Sequence, residues 1–100
     1  MNESKRLEHA ELLTKAKNFA VVQLPGRKFP GVVFQGDSLS AFVSELQQVL
    51  VLLNADQKQE AIEATKLLFE QYADVLKSYE FVCKEHQIEL PYVAQTILHR

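Results

Sequence analysis

Residues 24–38 read LPGRKFPGVVFQGDS and hold two of the chain's three prolines and all three of its glycines. A proline followed by a glycine stands at the centre of two four-residue segments, Leu24–Arg27 and Phe29–Val32. Proline presets φ for the first central position of a type II turn, and glycine accepts the positive φ of the second. The stretch therefore predicts two successive turns between the segment that precedes Leu24 and the segment that follows Gly31.

The segments on either side of these turns are short, apolar and rich in β-branched residues. Residues 19–24 precede the turns and residues 32–35 follow them. Such runs, bounded by turn residues, are typical of strands. We therefore expect a β-hairpin whose elaborated tip carries Arg27, Lys28 and Phe29, with Pro30 in the turn or at a strand start.

The end of the stretch predicts the start of a helix. Asp37 or Ser38 is placed to cap it, because either side chain can accept a hydrogen bond from the first free backbone N–H groups. The helix is expected to run to Leu53, with apolar residues on more than one side. Such broad apolar cover favours a central position in the core.

Residues 54–56 predict a short break, with Asp56 as the cap of a long helix that extends to His86. The short connection favours antiparallel packing of the two helices. Apolar and aromatic residues of the long helix follow a heptad-like spacing, and a seam this long could extend past the first helix and form a dimer contact instead. These seam residues are Ile62, Phe69, Tyr72, Leu76, Tyr79 and Cys83.

Both ends of the chain also carry helix signals. Residues 4–17 have a narrow apolar stripe with Ser4 as a plausible cap, and Pro91 suits the first position of a short helix that reaches His99. The predicted fold class is therefore α+β. We expect one domain, with an N-terminal helix in residues 1–18, a two-stranded hairpin in residues 19–36, and a helical part in residues 37–100.

Composition narrows the functional classes. A net charge of −2 over 100 residues argues against a dedicated nucleic-acid binder. Cys83 is the only cysteine, which excludes an internal disulfide and fits a reducing compartment. No signal peptide and no apolar run long enough to cross a bilayer stand in the sequence, so we expect a cytoplasmic protein without membrane contact.

Reaction chemistry is sparse. Cys83 and His86 share a helix face, as a nucleophile and its base would. No third residue stands at a spacing that would orient the histidine, so a buried structural cysteine beside a surface histidine is the favoured interpretation. Carboxylate pairs on the long helix lack the cleft that acid–base catalysis needs. We therefore expect neither an enzyme nor a metal or cofactor site.

Part of the chain resembles a known kind of protein. The segments LPGR, FPG and QGDSL, within residues 24–39, resemble the core motif of a family of small uncharacterised bacterial proteins. The resemblance spans about residues 19–46. Some small proteins of this kind are similar to immunity proteins of bacterial toxin systems, which implies binding to a protein and no catalysis.

The predicted function is therefore a non-enzymatic protein-binding module, with an immunity protein that blocks a toxin as the concrete version. Two alternatives stay open: a small-ligand or anion-binding module at the Pro-Gly tip, and a structural homodimer. The candidate binding residues lie at the tip, at the helix start and on the acidic side of the long helix. They are Arg27, Lys28, Phe29, Ser38, Glu60, Glu63, Glu70 and Asp74.

Overall fold

A computed structural model of the chain describes residues 9–13 and 19–94. Three strands and two helices follow one another in the described part. They are β1 (Glu11–Leu12), β2 (Phe19–Gln23), β3 (Gly31–Phe34), α1 (Gly36–Asn54) and α2 (Lys58–Glu85). The strands form one sheet in the order β1-β2-β3. The α+β class is therefore confirmed.

The N-terminal helix prediction is wrong where the structure describes it. Strand β1 pairs antiparallel with β2, with Glu11 opposite Gln23 and Leu12 opposite Val22. The Leu13 N–H continues the pairing by donating to the Val21 carbonyl at 2.9 Å. A third strand thus extends the predicted two-stranded hairpin, because backbone pairing with β2 outweighs the weak helical stripe. Residues 4–8 and 14–17 of the predicted helix lie outside the described residues.

The C-terminal helix is likewise absent from the described residues 91–94, which form a bend followed by irregular backbone. The remainder of that predicted helix, residues 95–99, lies outside the described part.

The first predicted turn is confirmed and the second is not. Gly26 has a φ of 75°, and the Arg27 N–H donates to the Leu24 carbonyl at 3.3 Å. Gly31 has no positive φ and begins β3. Pro30 precedes that strand as a buried residue, so its missing N–H removes no hydrogen bond from the strand pairing.

The chain divides into two compact units. The first holds the described residues up to Val33 together with those from Ser78 onward. Its buried core consists of Val21 from β2 with Tyr79, Val82 and Cys83 from α2. Partly buried apolar side chains complete this core: Leu13, Val32, Ile88 and Leu90.

The second unit, Phe34–Lys77, is a helical hairpin built from α1 and the first part of α2. Its buried residues all come from α2: Ala61, Leu68 and Ala73. Tyr72 joins the helices through its ring, which lies 4.4 Å from the Phe42 ring and 5.8 Å from the Phe34 ring between centroids. No residue of α1 is buried, so the predicted central core position of that helix is wrong.

Both helices end in a Schellman motif. At the end of α1, the Gln57 N–H donates to the Leu52 carbonyl at 2.9 Å, and Asp56 has a φ of 59°. At the end of α2, the Ile88 N–H donates to the Cys83 carbonyl at 2.8 Å, and Gln87 has a φ of 59°. Asp56 therefore ends α1 and is not the predicted cap of α2. Glycine is the residue that usually adopts this conformation.

Replacing Gln87 with glycine is expected to raise the free energy of unfolding by up to about 1 kcal/mol, because glycine removes the left-handed backbone cost at that position. Gln71→Gly is the matched control in the interior of α2. It is expected to lower stability by about 0.5–1 kcal/mol, because glycine weakens a helix interior. Urea unfolding followed by circular dichroism measures both, and an equal loss in the two variants would contradict the left-handed cap at Gln87.

Candidate functional site

The tip of the hairpin is braced by Gln23, which the sequence analysis did not single out. The Gln23 side-chain amide donates to the Arg27 carbonyl at 2.6 Å and to the Leu24 carbonyl at 3.3 Å. Arg27 and Lys28 are exposed. The tip is thus a braced turn that presents two cations to solvent.

Phe29 is neither fully exposed nor fully folded away. Its side chain is half-buried, and the Lys28 ammonium nitrogen lies 5.2 Å from the centre of its ring. At this distance the cation is attracted by the ring's negative face. The tip therefore brings Arg27, Lys28 and Phe29 together, although only part of the aromatic ring is available to a partner.

The start of α1 differs from its prediction. Gln35 is the residue before the first turn, and its side chain makes no capping hydrogen bond. The Ser38 N–H donates to the Asp37 carboxylate at 2.8 Å. Asp37 thereby satisfies an amide of the first turn and places a negative charge at the positive end of the helix dipole. Because that charge repels other anions, the geometry does not favour an anion site at Ser38.

The four acidic candidates are exposed side chains of α2: Glu60, Glu63, Glu70 and Asp74. They belong to the helical hairpin, as Ser38 does, whereas Arg27, Lys28 and Phe29 belong to the first unit. The acidic residues therefore form a solvated side of α2. Their role in binding stays a prediction.

The largest unexplained feature is an apolar surface on the helical hairpin. Of the large apolar residues of the two helices that leave more than a third of their surface open to solvent, five on α1 and three on α2 recur at helical spacing. We call this set the apolar face; its members are Leu39, Val43, Leu46, Leu50, Leu53, Ile62, Phe69 and Leu76. Leu50 is the most exposed, at 60%.

The spacing of these residues puts them on one side of each helix. Leu39, Val43, Leu46, Leu50 and Leu53 alternate steps of four and three, and Ile62, Phe69 and Leu76 are seven apart. Because an α-helix has 3.6 residues per turn, each series forms a single stripe. The exposed apolar residues Val51 and Leu67 fall on other sides of their helices.

Two grooves show that both stripes lie on the same side of the hairpin. Leu53 and Ile62 line one groove of about 210 Å³, together with Val49, Ala61, Thr65 and Lys66. A second groove of about 130 Å³ is lined from the other flanks of the helices, by Glu45, Gln48, Leu67 and Gln71. The end of the α1 stripe and the start of the α2 stripe therefore meet at the first groove, and both stripes lie on the side of the hairpin that this groove marks.

The predicted burial of Cys83 and the predicted exposure of His86 are confirmed. Its side chain is 0% exposed and unpaired, and His86 is exposed. Burial first, and the neighbouring Cys83 second, raise the pKa of Tyr79 to about 12. The Tyr79 hydroxyl donates to the Pro30 carbonyl at 2.8 Å, which makes it a structural tie in this part of the molecule.

Within residues 9–13 and 19–94, no three His, Cys, Asp or Glu side chains are grouped as they would be to hold a metal ion. Over the same part of the chain, no helix combines the length and the apolar character that crossing a membrane requires. The described residues thus leave three surfaces for consideration: the tip, the acidic side of α2 and the apolar face.

The residues of the apolar face are recognisable in the sequence as apolar stripes, but the sequence analysis predicts that these stripes are buried. Antiparallel packing predicts that the apolar stripe of α1 is buried against the long helix. Of the apolar residues of α1, only Phe42, Val49 and Leu52 are half-buried. The predicted seam of α2 is also divided. Tyr79 and Cys83 are buried in the first unit, whereas Ile62, Phe69 and Leu76 are exposed at the same period of seven. The seam of α2 therefore contains one part that packs in the core of the first unit and one part that no described residue covers.

A three-stranded sheet, a helical hairpin and an uncovered apolar face define this molecule, over its described residues, as a small α+β protein. The chain belongs to the family of unknown function DUF6959, whose model matches residues 5–92. No curated protein and no solved structure matches the chain.

Proposed function

We propose that this protein is a non-enzymatic protein-binding module, and that the apolar face of its helical hairpin is the binding surface. The observation that carries this proposal is the exposure of eight large apolar side chains on one side of two packed helices. Contiguous apolar patches larger than a few hundred Å² are uncommon on monomeric soluble proteins and mark interaction sites.

The physical reason is the free energy of burying apolar surface. Each Å² of apolar surface removed from water contributes about 25 cal/mol, so covering this face favours association strongly. The exposed residues are mainly leucines with one phenylalanine at the centre of the α2 stripe, Phe69. An aromatic anchor surrounded by aliphatic side chains is typical of the core of a protein–protein interface.

The buried, unpaired Cys83 supports a reducing compartment such as the cytoplasm for this module. An immunity protein is a special case of this protein-binding function, in which the bound protein is a toxin whose activity falls on binding. The tip and the acidic side of α2 are secondary candidates, because neither presents a set of exposed apolar side chains as the apolar face does.

Affinity capture from a lysate of the native host tests the proposal. The wild type is compared with Leu50→Glu and with Leu67→Glu, and bound proteins are identified by mass spectrometry. Leu67 is a matched control, because it is 69% exposed on α2 but lines the groove on the other side of the hairpin. We expect at least one protein, which can be this chain itself, to be retained by the wild type and by Leu67→Glu but lost from Leu50→Glu.

An Arg27→Ala/Lys28→Ala variant in the same experiment tests the tip. Loss of the bound protein from this variant alone would move the binding surface from the apolar face to the hairpin tip. Identical sets of proteins from all four samples would overturn a binding role for either surface.

A further inference from the structure

We infer that the partner of the apolar face is the same face of a second copy of this chain, so that two helical hairpins stack into a four-helix bundle. This inference rests on the proposed function, since it names the occupant of the proposed binding surface. Three properties of the face support it: its charge, its spacing and its size.

The first property is that none of the eight residues of the face is charged. All eight of its residues are apolar, and Ser40 and Gln47, which border the α1 stripe, are uncharged. The carboxylates of Glu60, Glu63, Glu70 and Asp74 stand at other positions of the α2 helical turn, whereas Lys66 lines the groove beside Ile62. A partner selected by opposite charge would find one lysine of the groove, Lys66, to pair with and no charge among the eight residues of the face, which do not repel each other in two copies.

The second property is the spacing. Steps of four and three along α1 place Val43 and Leu50 at one heptad position and Leu39, Leu46 and Leu53 at the other. This is the arrangement that inserts side chains of one helix between those of a facing helix with the same repeat. Ile62, Phe69 and Leu76 continue a seven-residue repeat on the neighbouring helix. A second copy supplies matching repeats on both helices.

The third property is the size. The 19 residues of α1 correspond to a length of about 28 Å. Two helices packed side by side present a width of about 20 Å. The flat area of the face is therefore about 560 Å² in each copy, or about 1,100 Å² for two copies. This area approaches the standard size of a stable interface, and the uneven side-chain surface adds to it. The α1 stripe alone would offer about half of this area, so the inference requires both helices.

Symmetry is consistent with this arrangement. A two-fold axis through the face brings identical surfaces together, so that each contact occurs twice. Phe69 of each copy then packs among leucines of the other without an unpaired polar group at the centre. No segment from another protein is needed to complete the core.

The test is the mass of the full chain in solution, measured by sedimentation equilibrium over a wide concentration range. The wild type and Leu67→Glu are expected to have twice the monomer mass of 11.4 kDa. Leu50→Glu and Phe69→Glu, one from each helix, are expected to raise the dissociation constant of the dimer at least about a hundredfold, because each buries an unpaired charge in both copies. Circular dichroism of every variant checks that the helices persist.

Three results would overturn the inference. A wild type that stays at 11.4 kDa at all concentrations would show that no second copy covers the face. A dimer that survives both Leu50→Glu and Phe69→Glu would place the contact on another surface. A monomeric wild type that captures a different protein in a Leu50-dependent manner would overturn the second copy and leave the proposed function standing.

Discussion

Replacing Tyr79 with phenylalanine is expected to lower the free energy of unfolding by about 1–3 kcal/mol, the cost of leaving a buried carbonyl without a donor. The Tyr79 hydroxyl donates to the Pro30 carbonyl at 2.8 Å, 49 residues away in the sequence. Only 6% of the tyrosine is exposed, and Pro30 is buried. Water therefore does not readily replace the lost donor. Phenylalanine retains the ring packing, so the change isolates this single hydrogen bond.

Tyr92→Phe is the matched control. The Tyr92 hydroxyl donates to the Glu80 carboxylate at 3.0 Å, but at an exposed position. Its loss is expected to change stability by no more than about 0.5 kcal/mol, because water takes over the exposed groups. Urea unfolding of both variants provides the comparison. Equal small effects in the two would show that the Pro30 carbonyl finds another donor.

The pH dependence of unfolding gives a second readout for Tyr79. Its pKa is raised by burial to about 12, from 10.0 for an ordinary tyrosine. Between these values the unfolded chain has released the proton and the folded chain has kept it, so this contribution to stability is present below pH 10 and is lost toward pH 12. Tyr79→Phe is expected to reduce the alkaline slope. Tyr92, whose pKa is raised by partial burial and by Glu80, contributes a slope that Tyr92→Phe removes separately.

The fold could be predicted where local chemistry decides it. The Pro25-Gly26 turn, both strands of the hairpin, the two helices and the break near residue 55 all follow from turn residues and apolar periodicity. The failures lie where a distant contact decides. β1 forms because Glu11 and Leu12 meet β2, and no local signal in residues 11–12 distinguishes this from a helix.

The candidate site was predictable in its residues but not in its location. The heptad-like spacing of Leu39, Val43, Leu46, Leu50 and Leu53 is visible in the sequence. Periodicity shows that a helix has an apolar side, but it does not show which neighbour covers that side. On α1, Phe42 and Val49 occupy the side toward α2, and the five other residues are left at the surface. Tertiary packing alone separates the two sets.

Replacing Tyr72 with alanine is expected to lower the free energy of unfolding of the helical hairpin by about 2–3 kcal/mol, below the range for fully buried aromatic residues because Tyr72 is half-buried. Its ring contacts both Phe42 of α1, at 4.4 Å between centroids, and Phe34 just before that helix, at 5.8 Å. Tilted aromatic pairs add stabilisation beyond the area that they bury. Alanine removes both pairs at once.

Two controls separate ring packing from other effects of this change. Tyr72→Phe keeps the ring and is expected to stay within about 0.5 kcal/mol of the wild type. Phe81→Ala removes a ring that is 62% exposed on α2 and is expected to cost less than about 1 kcal/mol. Urea unfolding followed by circular dichroism measures all three variants. A Tyr72→Ala variant as stable as Phe81→Ala would show that the aromatic group does not hold α1 against α2.

The same substitution connects the stability of the hairpin to its proposed assembly. α1 carries no buried residue, so its position against α2 depends heavily on Tyr72 and its two aromatic neighbours. A loosened α1 no longer holds its apolar stripe on the same side of the hairpin as the α2 stripe, and the apolar face loses its shape. Tyr72→Ala is therefore expected to weaken the dimer although it lies outside the face, whereas Tyr72→Phe is expected to preserve the dimer mass. A Tyr72→Ala protein that dimerises as tightly as the wild type would show that the two stripes assemble independently of this contact.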